Sequence, residues 1–263
     1  MTTVVMNGNT IVADRKISTI TRMPVEIKEK EKQRILDTAN IIPHYKDVAE
    51  YTLAALENPP SETTKIFDVS NLALTINGDK VLAIGGAGNG VLIQLLECLE
   101  KGVDLVQHLT HLTKAIIDAV RLYEDEVVAD MLDMMGSPAE ARMLGVSNEE
   151  YVKGVLYGCS GAQFAIIGEK NNYVLAQKDG ADPTLFINIY SKDTTVGIGS
   201  GSVMLNIQHN GIVYDELTMS RDIIGTGIYV VEDEVDEKEL ISFVREASLY
   251  DPMTGTETNA LKF

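Results

Sequence analysis

The sequence predicts an α+β protein whose strands and helices are segregated into layers, a sheet sandwich flanked by helices. Three observations carry this expectation. The elements run as strands, helices, strands and a final helix, where βαβ units would alternate. Two β-branched runs are each interrupted by Asn-Gly, the strongest short hairpin signal. Between the strand blocks lies a long stretch with apolar residues three and four apart, the spacing of a helix face.

The opening "TTVV" and "TIVAD" flank Asn7-Gly8 and predict a β-hairpin. Residues 24–57 turn charged and helix-forming, and Pro43 divides them into two helices, an insertion too long and amphipathic for a simple connection. Strands resume in "KIFDVSNLALTINGDKVLAIGG", with Asn77-Gly78 as a second hairpin turn. Helical spacing then runs from "VLIQLLECLE" to "MLDMM", and Gly102 is a break that would give two helices. A helix is expected over 148–157, followed by strands in "AQFAIIGEK", "NYVLAQK", "TLFINIY" and "TTVGIGSG". The stretch "SVMLNIQHNGIVYDEL" fits helix or strand. The acidic run "EDEVDEKE" starts the last helix, "VDEKELISFVREASLY", where carboxylates suit the N-terminal end.

Composition narrows the function classes. A chain of 263 residues with 45% hydrophobic content can bury the core of one large domain, here 1–263 with the helical insertion at about 24–57. The net charge of −17 repels polyphosphate and anionic lipid, which argues against nucleic acid. No apolar run has the length of a membrane span and no signal peptide is visible, so a cytoplasmic place is expected. Cys98 and Cys159 lack CxxC spacing and read as buried free thiols. His108 and His111 are three apart on a helix, but no third ligand is nearby, so no metal is expected.

Chemistry enters at the N-terminus. A threonine with a free α-amine carries a nucleophilic hydroxyl and its own base. With "TTVV", "TIVADRK", "TKIF", "DKVLAIGGAGNG", "TTVGIGSGS" and "YDPMTG" in this order, the chain resembles the proteasome β-subunit family and the related bacterial peptidase that works with an ATP-driven unfoldase, both N-terminal nucleophile hydrolases. The resemblance implies a four-layer αββα sandwich of two mainly antiparallel sheets and a threonine-type peptidase without cofactor. Thr2, exposed by removal of Met1, would be the nucleophile. Asp14 would hold and polarise a lysine beside it. Lys65 matches the family's lysine, with Lys16 and Lys80 as rivals because the excursion before Lys65 exceeds the family's connection.

On the same resemblance, "GGAGNG" occupies the place of a glycine-rich turn before the first long helix, and Gly88 would offer its N–H to an oxyanion. A phosphate loop is the weaker reading, because no Gly-Lys-Ser/Thr follows. Ser200 would assist proton transfer at the threonine amine, and Asp251 with Thr254 would complete the network, threonine standing where serine is commoner. Ile17, Ser18, Gly86 and Gly90 would line the substrate cleft, with Gly86 at the floor of a deep pocket. The family also implies a homo-oligomeric ring, peptide or unfolded-protein substrates, and a separate unfoldase. Three alternatives stand beside this reading. They are an N-terminal-nucleophile amidohydrolase acting on a small amide, a catalytically silent subunit of the same fold, and an adaptor docking through 24–57.

Overall fold

In the computed structural model the described residues are 3–16, 64–88, 96, 99, 101–122, 124–135, 139–160, 162–177, 181–210, 228–231, 235–251 and 254–263. They form two antiparallel sheets with helices packed against them, an α+β architecture. The helical insertion expected at 24–57 lies outside them, as do Thr2, Ile17, Ser18, Gly90, Cys98 and the side chain of Cys159.

The first sheet starts from the predicted hairpin. Strands β1 (Thr3–Asn7) and β2 (Thr10–Asp14) pair with Asn7 opposite Thr10. The two-residue loop is therefore Gly8-Asn9, one residue later than the Asn7-Gly8 signal suggests, and Gly8 takes the positive φ of 54°. The order across this sheet is β10 (Tyr229–Val231), β9 (Thr195–Gly199), β1, β2 and β11 (Thr258–Lys262).

The second sheet runs β3 (Ile66–Asp68), β5 (Asp79–Gly88), β6 (Ala162–Gly168), β7 (Asn172–Gln177) and β8 (Leu185–Tyr190), with the short β4 (Thr75–Ile76) pairing β5. Its Asn77-Gly78 turn has φ of 50° and 75° at the two central positions, the left-handed pair that a two-residue hairpin requires. Within "GGAGNG", Gly85 to Gly88 are strand, paired with β6 from Gly85↔Ala165 to Gly88↔Ala162, so the strand runs two residues past the "KVLAIGG" reading, and Asn89 and Gly90, where the expected turn would continue, lie outside the described residues. Sheet packing requires the glycine at 85: a Cβ on Gly85 would lie 2.7 Å from Val4 Cγ1 and 2.9 Å from Ile11 Cδ1 across the sheet interface.

Among the described residues, helical structure after Gly102, itself at φ 72°, comprises α1 (Leu105–Leu122), α2 (Glu124–Met135), α3 (Ala139–Leu144) and α4 (Asn148–Ser160). The ambiguous stretch from 202 is helical as far as it is described, in α5 (Ser200–Asn210). The acidic helix is α6 (Glu237–Tyr250), opened by a capping box in which Asp236 accepts from Glu239 N and Glu239 accepts from Asp236 N.

Period-two alternation sorts the core. Val4 and Met6 of β1 face Ala83, Ala87, Ala165 and Val174 of the other sheet, while Val5 and Val12 face Leu205, Leu240, Val244 and Ala247 of α5 and α6. The opposite face of the second sheet packs Ile84, Phe164 and Leu175 with Leu105 and Leu109 of α1. At the turn end of β1, Lys192 Nζ shares its three protons among Gly8 O (3.1 Å), Asn9 Oδ1 (2.9 Å), Gly168 O (2.5 Å) and Asn172 Oδ1 (3.0 Å), so one ammonium ties turns of both sheets together. No described helix is long and apolar enough to cross a membrane.

Because Val4 and Ile11 close directly over Gly85, Gly85→Ala should overpack this interface and lower stability by about 1–3 kcal/mol. The measurement is a lower urea midpoint at unchanged slope.

Candidate functional site

The site forms where the start of β1, the end of β2, the residue before β3, the β9–α5 corner and the exit of α6 converge. Asp14, the last residue of β2, is fully buried, and its two carboxylate oxygens divide the work. Oδ1 accepts from the backbone N–H of Thr3 at 2.7 Å. Oδ2 accepts from Lys65 Nζ at 2.9 Å and from the backbone N–H groups of Lys16 and Gly255, both at 3.1 Å. A buried carboxylate is tolerated because it is surrounded by donors.

Lys65 is 2% exposed and also donates to the Lys16 carbonyl. Its own carbonyl accepts from Gly86 N at 2.9 Å, which fixes the lysine at the head of β3 beside β5. Burial pushes its ammonium below the usual lysine value, and the attraction of Asp14 offsets part of that shift. Of the rival lysines, Lys16 meets Asp14 through its main chain, and Lys80 stands 3.8 Å from Glu169 with its side chain about half exposed.

A second chain of hydrogen bonds begins at Thr3, which sequence reasoning did not single out. Thr3 Oγ1 and Thr254 Oγ1 are 2.7 Å apart, and Thr254 Oγ1 donates to Asp251 Oδ2 at 2.7 Å. A hydroxyl has one proton, so the proton between the two threonines comes from Thr3. Ser200 Oγ donates to the same Asp251 oxygen at 2.5 Å. With its proton committed there, Ser200 offers lone pairs to any further partner. The geometry therefore brings Asp14 and Lys65 together, and Ser200, Asp251 and Thr254 together, with Thr3 bonded to both groups.

Local structure explains each placement. Asp251 is the C-cap of α6, its N–H bonding to Ala247 O, so the helix exit delivers the carboxylate. Ser200 opens α5 immediately after Gly199, whose φ is 93° and which lies opposite Thr3 in the sheet. Gly201 admits no side chain, because a Cβ there would fall 1.9 Å from Thr3 Oγ1. Gly88 ends β5 at φ 106°, a conformation that favours glycine, and Gly86 is buried two residues before it. The signal for Thr3 was its place next to Thr2 at the head of a β-branched run, and that for Gly201 was the "GSGS" run. Among the described residues no group of three or more His, Cys, Asp and Glu side chains is arranged to hold a metal.

Lys65→Met would strand Asp14 without its cationic partner and should cost about 3–5 kcal/mol. The lysine titrates lower when folded, so the unfolded chain binds more protons between that lowered pKa and the ordinary lysine value of 10.5, and wild-type stability rises with pH there. From neutral pH up to this window the stability gap between wild type and Lys65→Met should therefore be constant, and it should widen through the window, as read by urea unfolding at stepped pH.

No protein-family model matches the chain, and no curated protein matches it significantly. Among solved structures it is similar to the crystal structure of eukaryotic HslV from Trypanosoma brucei. The identity is 13% and the TM-score 0.36, over 99% of this chain and 97% of that one.

Proposed function

We propose that the protein is a threonine-type peptidase that uses Thr2, freed at the N-terminus by removal of Met1, as its nucleophile. The observation that carries this reading is the double grip of Asp14. One oxygen holds the amide of Thr3, the residue that follows Thr2 in the chain, and the other holds the Lys65 ammonium. A cation is thus anchored to the same carboxylate that anchors the start of β1, in a buried setting where its field is strong.

In the proposed reaction the Thr2 hydroxyl attacks a peptide carbonyl while its α-amine takes the proton. Lys65, oriented by Asp14, favours the developing alkoxide, and the Gly88 N–H receives the oxyanion. The lone pairs of Ser200, its proton held by Asp251, orient the amine, and Thr254 braces the same carboxylate. The C–N bond breaks as the amine returns the proton to the leaving group, giving an acyl ester that water hydrolyses.

The three core clusters support a four-layer αββα sandwich of the N-terminal nucleophile hydrolase type, one between the sheets and one under each helical layer. Within the same reading, Ile17, Ser18, Gly86 and Gly90 line the cleft, and peptides or unfolded proteins are the substrates. The chain assembles as a homo-oligomeric ring in the cytoplasm, and a separate ATP-driven unfoldase supplies folded substrates.

Thr2→Ala should leave a folded protein without peptidase activity, and intact mass of the active wild type should lack Met1. Wild-type turnover by Thr2→Ala would sink the mechanism. Lys65→Ala, assayed where circular dichroism shows it folded, should lose at least about two orders of magnitude in kcat. Lys16→Ala and Lys80→Ala should lose far less, since neither ammonium is the one bonded to Asp14 in the described geometry.

A further inference from the structure

Strand β6 turns Ile167 and Ala165 into the core between the sheets, and alternation puts Gln163 next in that row. It is the polar member of an apolar series, at the end of the strand nearest the site. Its Oε1 accepts from the backbone N–H of Gly199 at 2.8 Å, a directional bond from one sheet to the other.

The partners on either side of this bond matter more than the bond itself. Gln163 lies opposite Ala87, one position from the pair Gly88↔Ala162. Ala162 N is held in turn by Gln177 Oε1 at 2.8 Å, and Gln177 Nε2 donates to the Asp182 carbonyl at 2.8 Å, so this end of β6 is fixed from behind. Gly199 lies opposite Thr3 and directly precedes Ser200. Gly88 and Gly199 both leave their strands at positive φ, where glycine supplies the conformation but has no side chain to hold it in place. The apolar contacts between the sheets are non-directional.

We propose that Gln163 is a positioning residue: by tying Gly199 to β6 it sets the separation of the Gly88 N–H and the Ser200 hydroxyl, the two groups between which the scissile carbonyl and the Thr2 amine would be held. This inference rests on the threonine-nucleophile reading above. A purely structural Gln163 makes the opposite forecast, because methionine matches its length and suits an apolar row.

The test uses the full-length protein with Gln163→Met, which loses the acceptor, and Gln163→Glu, which keeps one. Turnover of a fluorogenic peptide and hydrogen exchange at the Gly199 amide are read together. Gln163→Met should lower kcat by about tenfold or more, with KM within about twofold, since a small misplacement of reacting groups is felt in the chemical step. Its Gly199 amide should exchange faster, and Gln163→Glu should restore both protection and most of the turnover. If wild type cleaves the peptide and Gln163→Met keeps its kcat, the positioning role is overturned while the nucleophile reading stands. A Gln163→Met that fails to fold, or a Gln163→Glu that keeps Gly199 protected but is as slow as Gln163→Met, likewise overturns it. If wild type neither cleaves peptides nor is labelled at Thr2 by a peptide epoxyketone, the nucleophile reading falls and this proposal falls with it.

Discussion

The described site hangs on one buried carboxylate. Among the described residues Asp14 accepts hydrogen bonds from the Thr3, Lys16 and Gly255 main-chain amides and from the Lys65 ammonium. Those donors come from β1, the chain just past β2, the residue before β3 and the loop before β11, so the carboxylate draws four parts of the molecule to one point. An ion in the interior is unfavourable by itself, and its cost is offset here by saturation with donors. The same saturation fixes geometry, because each N–H is directional and the carboxylate has few ways to satisfy all four.

From that hub the rest of the site follows by packing. Thr3 lies opposite Gly199, so pinning its amide also places the β9–α5 corner, where Gly201 lies so close to the Thr3 hydroxyl that a side chain has no room. Helix α6 packs on β1 and β2 through Val244 and Ala247, and its exit brings Asp251 to Ser200 and Thr254. Two carboxylates, Asp14 and Asp251, thus lie on either side of Thr3 and are coupled through its amide and hydroxyl. At the other end of β1, the Lys192 ammonium holds turns of both sheets, so the strand that carries the site is anchored at both ends. Burial pushes the Lys192 ammonium below its ordinary value, and the field of Asp79 opposes that shift.

Where the chain's pattern is local, it was legible. Asn77-Gly78 takes the two left-handed conformations its hairpin needs, and "AQFAIIG" and "NYVLAQ" form adjacent antiparallel strands as their apolar runs suggest. The acidic run does open a helix, α6, with Glu237 and Glu239 in its first turn. Strand β11 was not legible, because "TNALK" has an edge-strand composition and is held as a strand by pairing with β2 from Thr258↔Asp14 to Lys262↔Thr10. Strand β10 and the short helix α3 also carried no signal long enough to read. The role of Gly85 was not legible, since a glycine in a strand run does not show what crosses it, and here it lets two sheets approach.

By itself the sequence determined the segregated strands and helices and the Asn77-Gly78 turn, because these depend on neighbours along the chain. Tertiary structure decided which lysine meets Asp14. Fifty-one positions separate Asp14 from Lys65, while Lys16 is two residues away yet turns its main chain to the carboxylate. It also decided that Thr3 joins the two carboxylates and that Gln163 crosses between the sheets. Such bonds depend on sheet register and helix exit, which the whole core sets at once, so no window of sequence contains them.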